Sequence, residues 1–425
     1  MKLDEATPEQ LAEWQSALEA EYAAIQAEGL NLDLTRGKPS TEQLALSDRL
    51  DGILDGDFKA ADGTDLRNYG GLTGLPEARA LGSVLMGVPA KNVIAGGNSS
   101  LTLMHQAMSV AAIFGFDGPE SAWKHGGKTP KFLCPVPGYD RHYAVCEHLG
   151  VEMLTVPMTA TGPDMDAVEA AVKADPDIKG IWCVPKYSNP TGVTYDDATV
   201  TRIAQLPKIA GPGFKVFWDN AYAVHDLSDN PPQLASLFEA AAAAGTEDGI
   251  LQFASTSKIT HAGSGVAFLA ASDATLAGFQ KSLGIMTIGP DKMNQARHAR
   301  FFDGPEALKA HMKKHAEIIG PRFETVLNHL DAGFAGTGLG TWERPEGGYF
   351  IAFDTRPGLA KEVVKMAKEA GVKLTPAGAT FPYGKDPEDR NIRIAPTVPS
   401  VEQVDAAMRV FVVCVKLASV RQKRS

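Results

Sequence analysis

Short apolar runs alternate with amphipathic stretches through most of the chain, and this alternation restricts the fold more than any other feature. The runs span residues 131–136, 151–156, 180–184, 214–218, 250–253 and 266–270. Most of them lack alternating polar residues, as is typical of strands buried on both faces of a sheet. The pattern predicts βαβ units around a largely parallel sheet. Ligands of such sheets bind beyond the carboxyl ends of the strands.

The sequence changes character near residue 315. A long helical pattern is followed there by a mixture of helical and strand-like segments, which is an α+β layout. These segments span residues 306–329, 342–354, 359–371 and 391–395. We therefore expect two domains: a large one over residues 46–314, and a smaller α+β domain made from residues 1–45 and 315–425.

Composition and charge exclude several classes of function. The 425 residues carry a formal net charge of −10, and an acidic surface binds nucleic acid poorly because neutralising phosphates requires basic side chains. The polar start of the chain and the lack of a long apolar run predict a cytoplasmic protein that does not enter a membrane. The four cysteines have no metal-ligand spacing, so we expect reduced, packed thiols and no metal site.

Two strand ends in the first half of the chain carry small polar residues. Segment 95–101 places glycines and hydroxyl groups at the start of a helical stretch, where free N–H groups favour an anion such as phosphate. An ordinary helix cap would give the same pattern. Asn189 lies in the turn Asn-Pro-Thr-Gly after the run 180–184, and turn formation alone also accounts for those residues.

Two further strand ends carry ionisable groups. Asp219 follows the run 214–218, and a partly buried carboxylate there needs a cation or a proton donor as partner. Tyr222 is close enough in sequence to enter the same crevice. Lys258 follows the run 250–253 and is a candidate amine nucleophile, although a single lysine is more commonly a solvated surface group.

The order and spacing of these four residues resemble the aspartate aminotransferase superfamily, the fold-type-I enzymes that use pyridoxal phosphate. Four other segments are similar to motifs of that family: NYGGLTGLPEAR (68–79), PVPGY (135–139), PEGGYF (345–350) and NIRIA (391–395). The phrases LTRGKP, PGYDRH, STSKITHAGSGVAF and GPDKMNQARH resemble an actinobacterial-type aspartate aminotransferase subgroup. The resemblance implies an α/β fold, with a mostly parallel seven-stranded sheet flanked by helices in the large domain.

The resemblance also implies roles around the cofactor ring. Lys258 would form the Schiff base with pyridoxal phosphate and then move a proton during the reaction. Asp219 would pair with the pyridine nitrogen and keep it protonated. Asn189 and Tyr222 would donate hydrogen bonds to the ring's 3′ oxygen, and Tyr139 would stack on the ring face.

Other residues would support the cofactor from further out. His142 would lie behind Asp219, and Tyr69 would reach the phosphate from the second subunit of a homodimer. The residues expected to hold the phosphate within one chain are Gly97, Asn98, Ser99 and Ser255. One position departs from the family pattern, because Val266 stands where many relatives have a phosphate-binding arginine. Backbone N–H groups, hydroxyls or His261 are candidates to replace it.

The substrate would be an amino acid whose α-carboxylate binds Arg393 as a bidentate pair, near Gly37 and Asn189. The arginine that reads a substrate side chain is not located by a motif. The candidates, in order, are Arg141, Arg36 and Arg297.

The function implied by the resemblance is transfer of an amino group between aspartate or glutamate and a 2-oxo acid. Three alternatives on the same scaffold remain open: aromatic or branched-chain transamination, β-elimination and decarboxylation. A transcription regulator with an aminotransferase-like effector domain is another alternative, but it would need a basic DNA-binding module ahead of that domain.

Overall fold

The computed structural model describes residues 2–425, which form thirteen strands and thirteen α-helices. The strands are β1 (Leu32–Leu34), β2 (Val93–Ala95), β3 (Lys131–Val136), β4 (Glu152–Thr159), β5 (Gly162–Pro163), β6 (Ile178–Cys183), β7 (Lys215–Asp219), β8 (Ile250–Ser255), β9 (Ala267–Ala270), β10 (Gly340–Trp342), β11 (Ile351–Thr355), β12 (Val372–Leu374) and β13 (Asn391–Ile394). The helices are α1 (Pro8–Ala27), α2 (Thr41–Ala45), α3 (Pro76–Met86), α4 (Ser100–Ser109), α5 (Asp140–His148), α6 (Met165–Ala174), α7 (Asp197–Ile209), α8 (Leu237–Ala244), α9 (Asp273–Met286), α10 (Lys292–Phe301), α11 (Pro305–Phe334), α12 (Ala360–Glu369) and α13 (Val401–Arg424).

The large sheet has the strand order β2-β9-β8-β7-β6-β3-β4-β5. Its central strands, from β8 to β4, pair in parallel, whereas β9 is antiparallel to both of its neighbours and β5 is antiparallel to β4. The prediction of a mostly parallel sheet is therefore confirmed. The sheet has one strand more than the seven expected, because the chain turns back after β4 to form the two-residue strand β5, which is too short to leave a sequence pattern.

Both faces of the sheet are covered by helices, which explains why its central strands lack polar alternation. In β7 every residue is buried. Phe217 packs on one face in a cluster with Leu103 of α4, and Val216 packs on the other with Ile203 of α7. Because β6, β7 and β8 are parallel neighbours, the residues that follow them lie along one edge of the sheet.

The two chain ends pack together around a second apolar core. Helix α1 begins at a capping box between Thr7 and Gln10 and lies against α13. Leu18 of α1 and Phe411 of α13 belong to the same buried cluster as Phe353 of β11. Two small sheets complete this part: β10-β11-β13, and β1 paired in parallel with β12.

We propose that the division into domains falls near residue 315, within α11. Leu308 and Met312, in the first half of this helix, pack with the core beside β2 and β9. Ile319 and Phe323, in the second half, pack with the core formed by the chain ends. The helix thus joins the two cores without a break, and a change of packing partner marks the boundary rather than a linker.

None of the helices described within residues 2–425 combines the length and the apolarity that crossing a membrane requires. The cysteines of this part of the chain are buried free thiols packed in the cores.

Candidate active site

The carboxyl ends of β7 and β8 bring Asp219 and Lys258 to one crevice. Asp219 is the last residue of β7, and Lys258 follows β8 by three residues. The amine Nζ of Lys258 lies 5.0 Å from the ring centroid of Tyr222, over its face. Burial lowers the pKa of the Lys258 amine, and the negative charge of Asp219 partly opposes that shift. The crevice therefore contains a desolvated amine beside a carboxylate.

Asp219 has one occupied and one open carboxylate oxygen. His142 donates from Nε2 to Oδ2 at 2.9 Å, and both side chains are buried. The imidazole is held in turn by stacking on Trp182, with ring centroids 4.2 Å apart, and by an edge contact with Tyr139 at 4.9 Å. Oδ1 of Asp219 is buried and has no hydrogen-bond partner among residues 2–425. Because a buried acceptor without a partner is costly, this oxygen suits a protonated ring nitrogen of a ligand.

The main chain at Lys258 is held by side chains that sequence reasoning missed. Its carbonyl oxygen accepts a hydrogen bond from the hydroxyl of Tyr349 at 3.3 Å and another from Nε2 of His225 at 3.2 Å. Gly348 precedes Tyr349 with φ +78°, and its α-carbon packs so closely on Tyr187 that a side chain there would collide. This packing explains the Gly-Gly pair before Tyr349.

A buried polar chain extends from Tyr349 toward Phe301 and Phe302 of the core beside β2 and β9. Gln43 donates from Nε2 to the Tyr349 hydroxyl and to Nδ1 of His315, each at 3.0 Å. His315 in turn lies 3.1 Å from His311, Nε2 to Nε2. Burial lowers the pKa of His315 to about 4. Contacts of this kind join residues far apart in sequence, so no local pattern reveals them.

Arg393 lies on β13, buried, at the mouth of the same crevice. Its Nη1 donates to Asn189 Oδ1 at 3.2 Å and to Asp140 Oδ1 at 3.1 Å. The guanidinium carbon lies 4.7 Å from the ring centroid of Phe350. Gly37 packs against that same ring so tightly that a side chain there would overlap it. Gly37 and Arg393 thus contact the same aromatic ring, that of Phe350.

The loop between β2 and α4 forms a second part of the crevice. Ser99 is at the N-cap position of α4, yet its hydroxyl does not cap the helix. The space that a side chain at Gly97 would take is open. Ser257, which sequence reasoning missed, joins this loop to β8, because its hydroxyl donates to the Asn98 carbonyl at 3.4 Å and accepts from Ser255 at 3.1 Å. Free N–H groups and hydroxyls converge here, as an anion site requires.

Comparison with known proteins identifies the family. A model of the family described as aspartate amino-transferase matches residues 6–425. The chain belongs to this family. An aspartate aminotransferase of Corynebacterium glutamicum is 44% identical over 420 residues, covering 99% of this chain and 96% of that protein. The chain is therefore an aminotransferase, an enzyme class that generally depends on pyridoxal phosphate.

Solved structures of other aminotransferases share the fold. A crystal structure of an aspartate transaminase from Corynebacterium glutamicum, 44% identical, superposes with a TM-score of 0.95 and covers 100% of this chain and 99% of its own. The α-aminoadipate aminotransferase of Thermus thermophilus, complexed with N-(5′-phosphopyridoxyl)-L-leucine, is 22% identical with a TM-score of 0.75, covering 93% of this chain and 95% of its own. At that lower identity the likeness concerns the fold alone.

Four residues predicted for the aminotransferase site have side chains that are exposed or only half-buried. Tyr69 is 79% exposed. Arg141 and Arg36 are exposed, and Arg297 is half-buried. Arg141 follows Asp140 on α5, but it lines a surface pocket with Thr102 and His105 of α4.

Val266 occupies the position at which many relatives have a phosphate-binding arginine, and its side chain packs in the core. Val266 is buried, and its N–H donates to the Thr256 hydroxyl at 2.9 Å. His261, a candidate to replace the arginine, faces Asp48, with Nε2 3.4 Å from its carboxylate. The Ser257 hydroxyl contacts the loop at the start of α4, because it donates to the Asn98 carbonyl, and the Ser255 hydroxyl donates in turn to Ser257.

Proposed function

We propose that this enzyme uses pyridoxal phosphate to transfer the amino group of aspartate or glutamate to a 2-oxo acid. One observation carries the proposal: the desolvated Lys258 amine faces Asp219, whose second oxygen is buried and has no hydrogen-bond partner within residues 2–425. The Corynebacterium glutamicum relative described as an aspartate aminotransferase supports aspartate as the substrate.

The residues of the crevice fit the cofactor's ring. When bound, pyridoxal phosphate supplies an electron sink for the carbanion left at the substrate's α-carbon. Asp219 Oδ1 would accept a hydrogen bond from the protonated ring nitrogen, and His142 fixes the carboxylate for that contact. Tyr139 would cover one ring face, while Asn189 and Tyr222 would bind the 3′ oxygen.

Lys258 suits the proton transfer that amino-group exchange requires. Burial lowers the pKa of its amine, so a larger share of the amine is neutral near pH 7 than for an exposed lysine. A neutral amine can take a proton from the substrate's α-carbon and return it elsewhere. The hydrogen bonds to the Lys258 carbonyl from Tyr349 and His225 hold the main chain in place meanwhile.

The phosphate would bind at the amino end of α4. Free backbone N–H groups and the positive end of the helix dipole favour a dianion there. Gly97, Asn98 and Ser99 would supply the loop contacts, with the hydroxyls of Ser255 and Ser257 on the opposite side. We assign the role of the absent arginine to these hydroxyls rather than to His261, since His261 is turned toward Asp48.

Arg393 is the proposed anchor of the substrate's α-carboxylate. The guanidinium is almost fully buried and rests on Phe350, which limits its movement. For a second, side-chain carboxylate of the substrate we favour Arg36 over Arg141. Gly37, the neighbour of Arg36, contacts the Phe350 ring on which the Arg393 guanidinium rests. Arg141 instead lines a pocket on the α4 side of α5.

The enzyme is proposed to act as a homodimer with shared sites. Tyr69, Ile285 and Ile288 are 79%, 89% and 67% exposed. The segment that carries Ile288 lies against the Tyr69 loop, since Lys292 Nζ donates to the Gly70 carbonyl at 2.8 Å and Gly289 packs on the Gly70 main chain. Large exposed apolar side chains grouped in this way are typical of a surface that is covered by a partner. A second copy placed here would offer its Tyr69 to the first copy's phosphate loop.

A substrate screen tests the proposal. The protein loaded with pyridoxal phosphate is mixed with single amino acids, and the loss of its visible absorbance band is followed by stopped-flow spectroscopy. Aspartate and glutamate should remove the band fastest, and Arg36→Ala should abolish that preference while Arg141→Ala leaves it. A preference for aromatic or branched amino acids would contradict the substrate assignment.

A further inference from the structure

The hydrogen bonds of Arg393 leave too few donors free for a substrate carboxylate. A guanidinium has five N–H groups, and an end-on bidentate carboxylate takes one from each terminal nitrogen. Both N–H groups of Nη1 are directed at protein acceptors, one at Asp140 and one at Asn189. Nε faces the Thr375 hydroxyl at 3.4 Å. An end-on bidentate carboxylate can therefore bind only if one partner of Nη1 leaves, whereas a side-on carboxylate would need Nε to leave the Thr375 hydroxyl.

Asp140 is the partner that can leave. Asn189 is 4% exposed and sits in the packed turn after β6. The side chain of Asp140 is 38% exposed, against 8% for Arg393, so a rotation of Asp140 brings its carboxylate into water. A hydrated carboxylate without a partner costs little free energy, whereas a buried amide without a partner costs considerably more.

The fold offers the displaced carboxylate a favourable position. Asp140 is the first residue of α5, where the positive end of the helix dipole stabilises a negative charge. This stabilisation does not depend on Arg393, because it comes from the backbone of α5 itself. The Asp140 carboxylate is thus still stabilised by the α5 dipole after it leaves Arg393.

We propose that Asp140 is an internal stand-in for the substrate's carboxylate, which pairs with Arg393 in the free enzyme and is displaced when substrate binds. Asp140 would then lower the affinity for every carboxylate substrate while keeping the buried guanidinium paired between turnovers. The inference rests on the proposed role of Arg393 as the carboxylate anchor.

Succinate, a dicarboxylate without an amino group, tests the displacement on the enzyme loaded with pyridoxal phosphate. Its dissociation constant is measured by calorimetry for the wild type, Asp140→Asn and Asp140→Ala. We expect about two- to fivefold tighter binding in both variants, the range that a partly exposed ion pair supports. Glu147→Gln removes the same charge from the exposed side of α5 and should leave the constant unchanged.

A crystal structure of the succinate complex gives the direct readout. The distance between Asp140 Oδ1 and Arg393 Nη1 should open beyond about 4 Å, the limit of an ion pair. Unchanged or weaker succinate binding in both Asp140 variants, or an intact pair in the complex, would overturn the inference. Arg393→Ala separates the two proposals: if it does not weaken succinate binding, the anchor itself is wrong, whereas if it does, only the displacement has failed.

Discussion

The imidazole of His142 donates to Oδ2 of Asp219 at 2.9 Å and lies parallel to the indole of Trp182, with ring planes 8° apart. Stacking on Trp182 fixes the orientation of the His142 imidazole, and the hydrogen bond from His142 fixes the Asp219 carboxylate. As a result, Asp219 presents one oxygen bound to His142 and one buried oxygen that has no hydrogen-bond partner in the described part of the chain. The site's electrostatics thus depend on residues of two strands and one helix that meet at a single sheet edge.

Replacing Asp219 by asparagine should separate cofactor binding from catalysis. The variant keeps the shape and the hydrogen bond to His142 but loses the charge that holds a ring proton. We expect the protein to retain bound pyridoxal phosphate while kcat falls at least about 100-fold, the scale of losing one preorganised electrostatic contact. Steady-state kinetics and the absorbance spectrum measure the two effects. Asp226→Asn, a carboxylate on the loop after β7, is the charge control, and wild-type kcat in Asp219→Asn would refute the role.

Tyr349→Phe should reduce turnover without changing substrate affinity. The variant removes one of the two hydrogen bonds to the Lys258 carbonyl and leaves His315 as the remaining partner of Gln43 Nε2. We expect kcat to fall several-fold with KM unchanged, and the free energy of unfolding to drop by about 1 kcal/mol. Tyr383→Phe loses a hydrogen bond to the Met153 N–H at a distant site and should show no loss of kcat. An equal loss of kcat in both variants would indicate a general effect on stability.

His315 should make the protein less stable as the pH falls below neutrality. Burial lowers its folded-state pKa to about 4, below the value of about 6.5 in an unfolded chain. Because the unfolded chain binds the proton more readily, the stability present above pH 6.5 is lost as the pH falls toward 4. For this group the loss between pH 7 and pH 5 is about 2 kcal/mol. Urea denaturation should show a shallower pH dependence in His315→Gln, with the exposed His125→Gln as control, and an unchanged slope would contradict the buried neutral imidazole.

Mixing two inactive variants should restore activity if the sites are shared between subunits. Tyr69→Ala damages the residue offered to the partner, and Lys258→Ala damages the residue of the chain's own site. A mixed dimer contains one site in which both residues are native. After exchange of subunits, activity should rise well above that of either variant alone. No recovery, with mixed dimers demonstrated by native mass spectrometry, would contradict the assignment of Tyr69.

The strand ends were predictable because buried apolar runs fix where each strand stops. Asp219 and Lys258 follow such runs directly, and parallel neighbours bring their ends together. The residues that modify the site were not predictable in the same way. Asp140 meets Arg393 of β13 only because the part formed by the chain ends packs onto the large sheet, and Gln43 meets His315 and Tyr349 through packing within that part. Such contacts depend on tertiary packing, for which the local sequence carries no signal.

The number of strands shows the same limit on a smaller scale. The expected seven strands became eight through β5, whose two residues pair with the end of β4. A strand of two residues is defined by its backbone hydrogen bonds and leaves no pattern of side chains in the sequence. It lies at the edge of the sheet, away from the carboxyl ends of β7 and β8.

Lys258 is the amine that we propose binds pyridoxal phosphate and moves the substrate's proton. The most direct measurement of this role compares wild type and Lys258→Ala, both incubated with pyridoxal phosphate, by absorbance and by a single-turnover reaction with aspartate. We expect the variant to lack the pH-dependent visible band of the wild type and to form product at least about 1,000-fold more slowly. A variant that keeps the band and reacts at the wild-type rate would contradict this role.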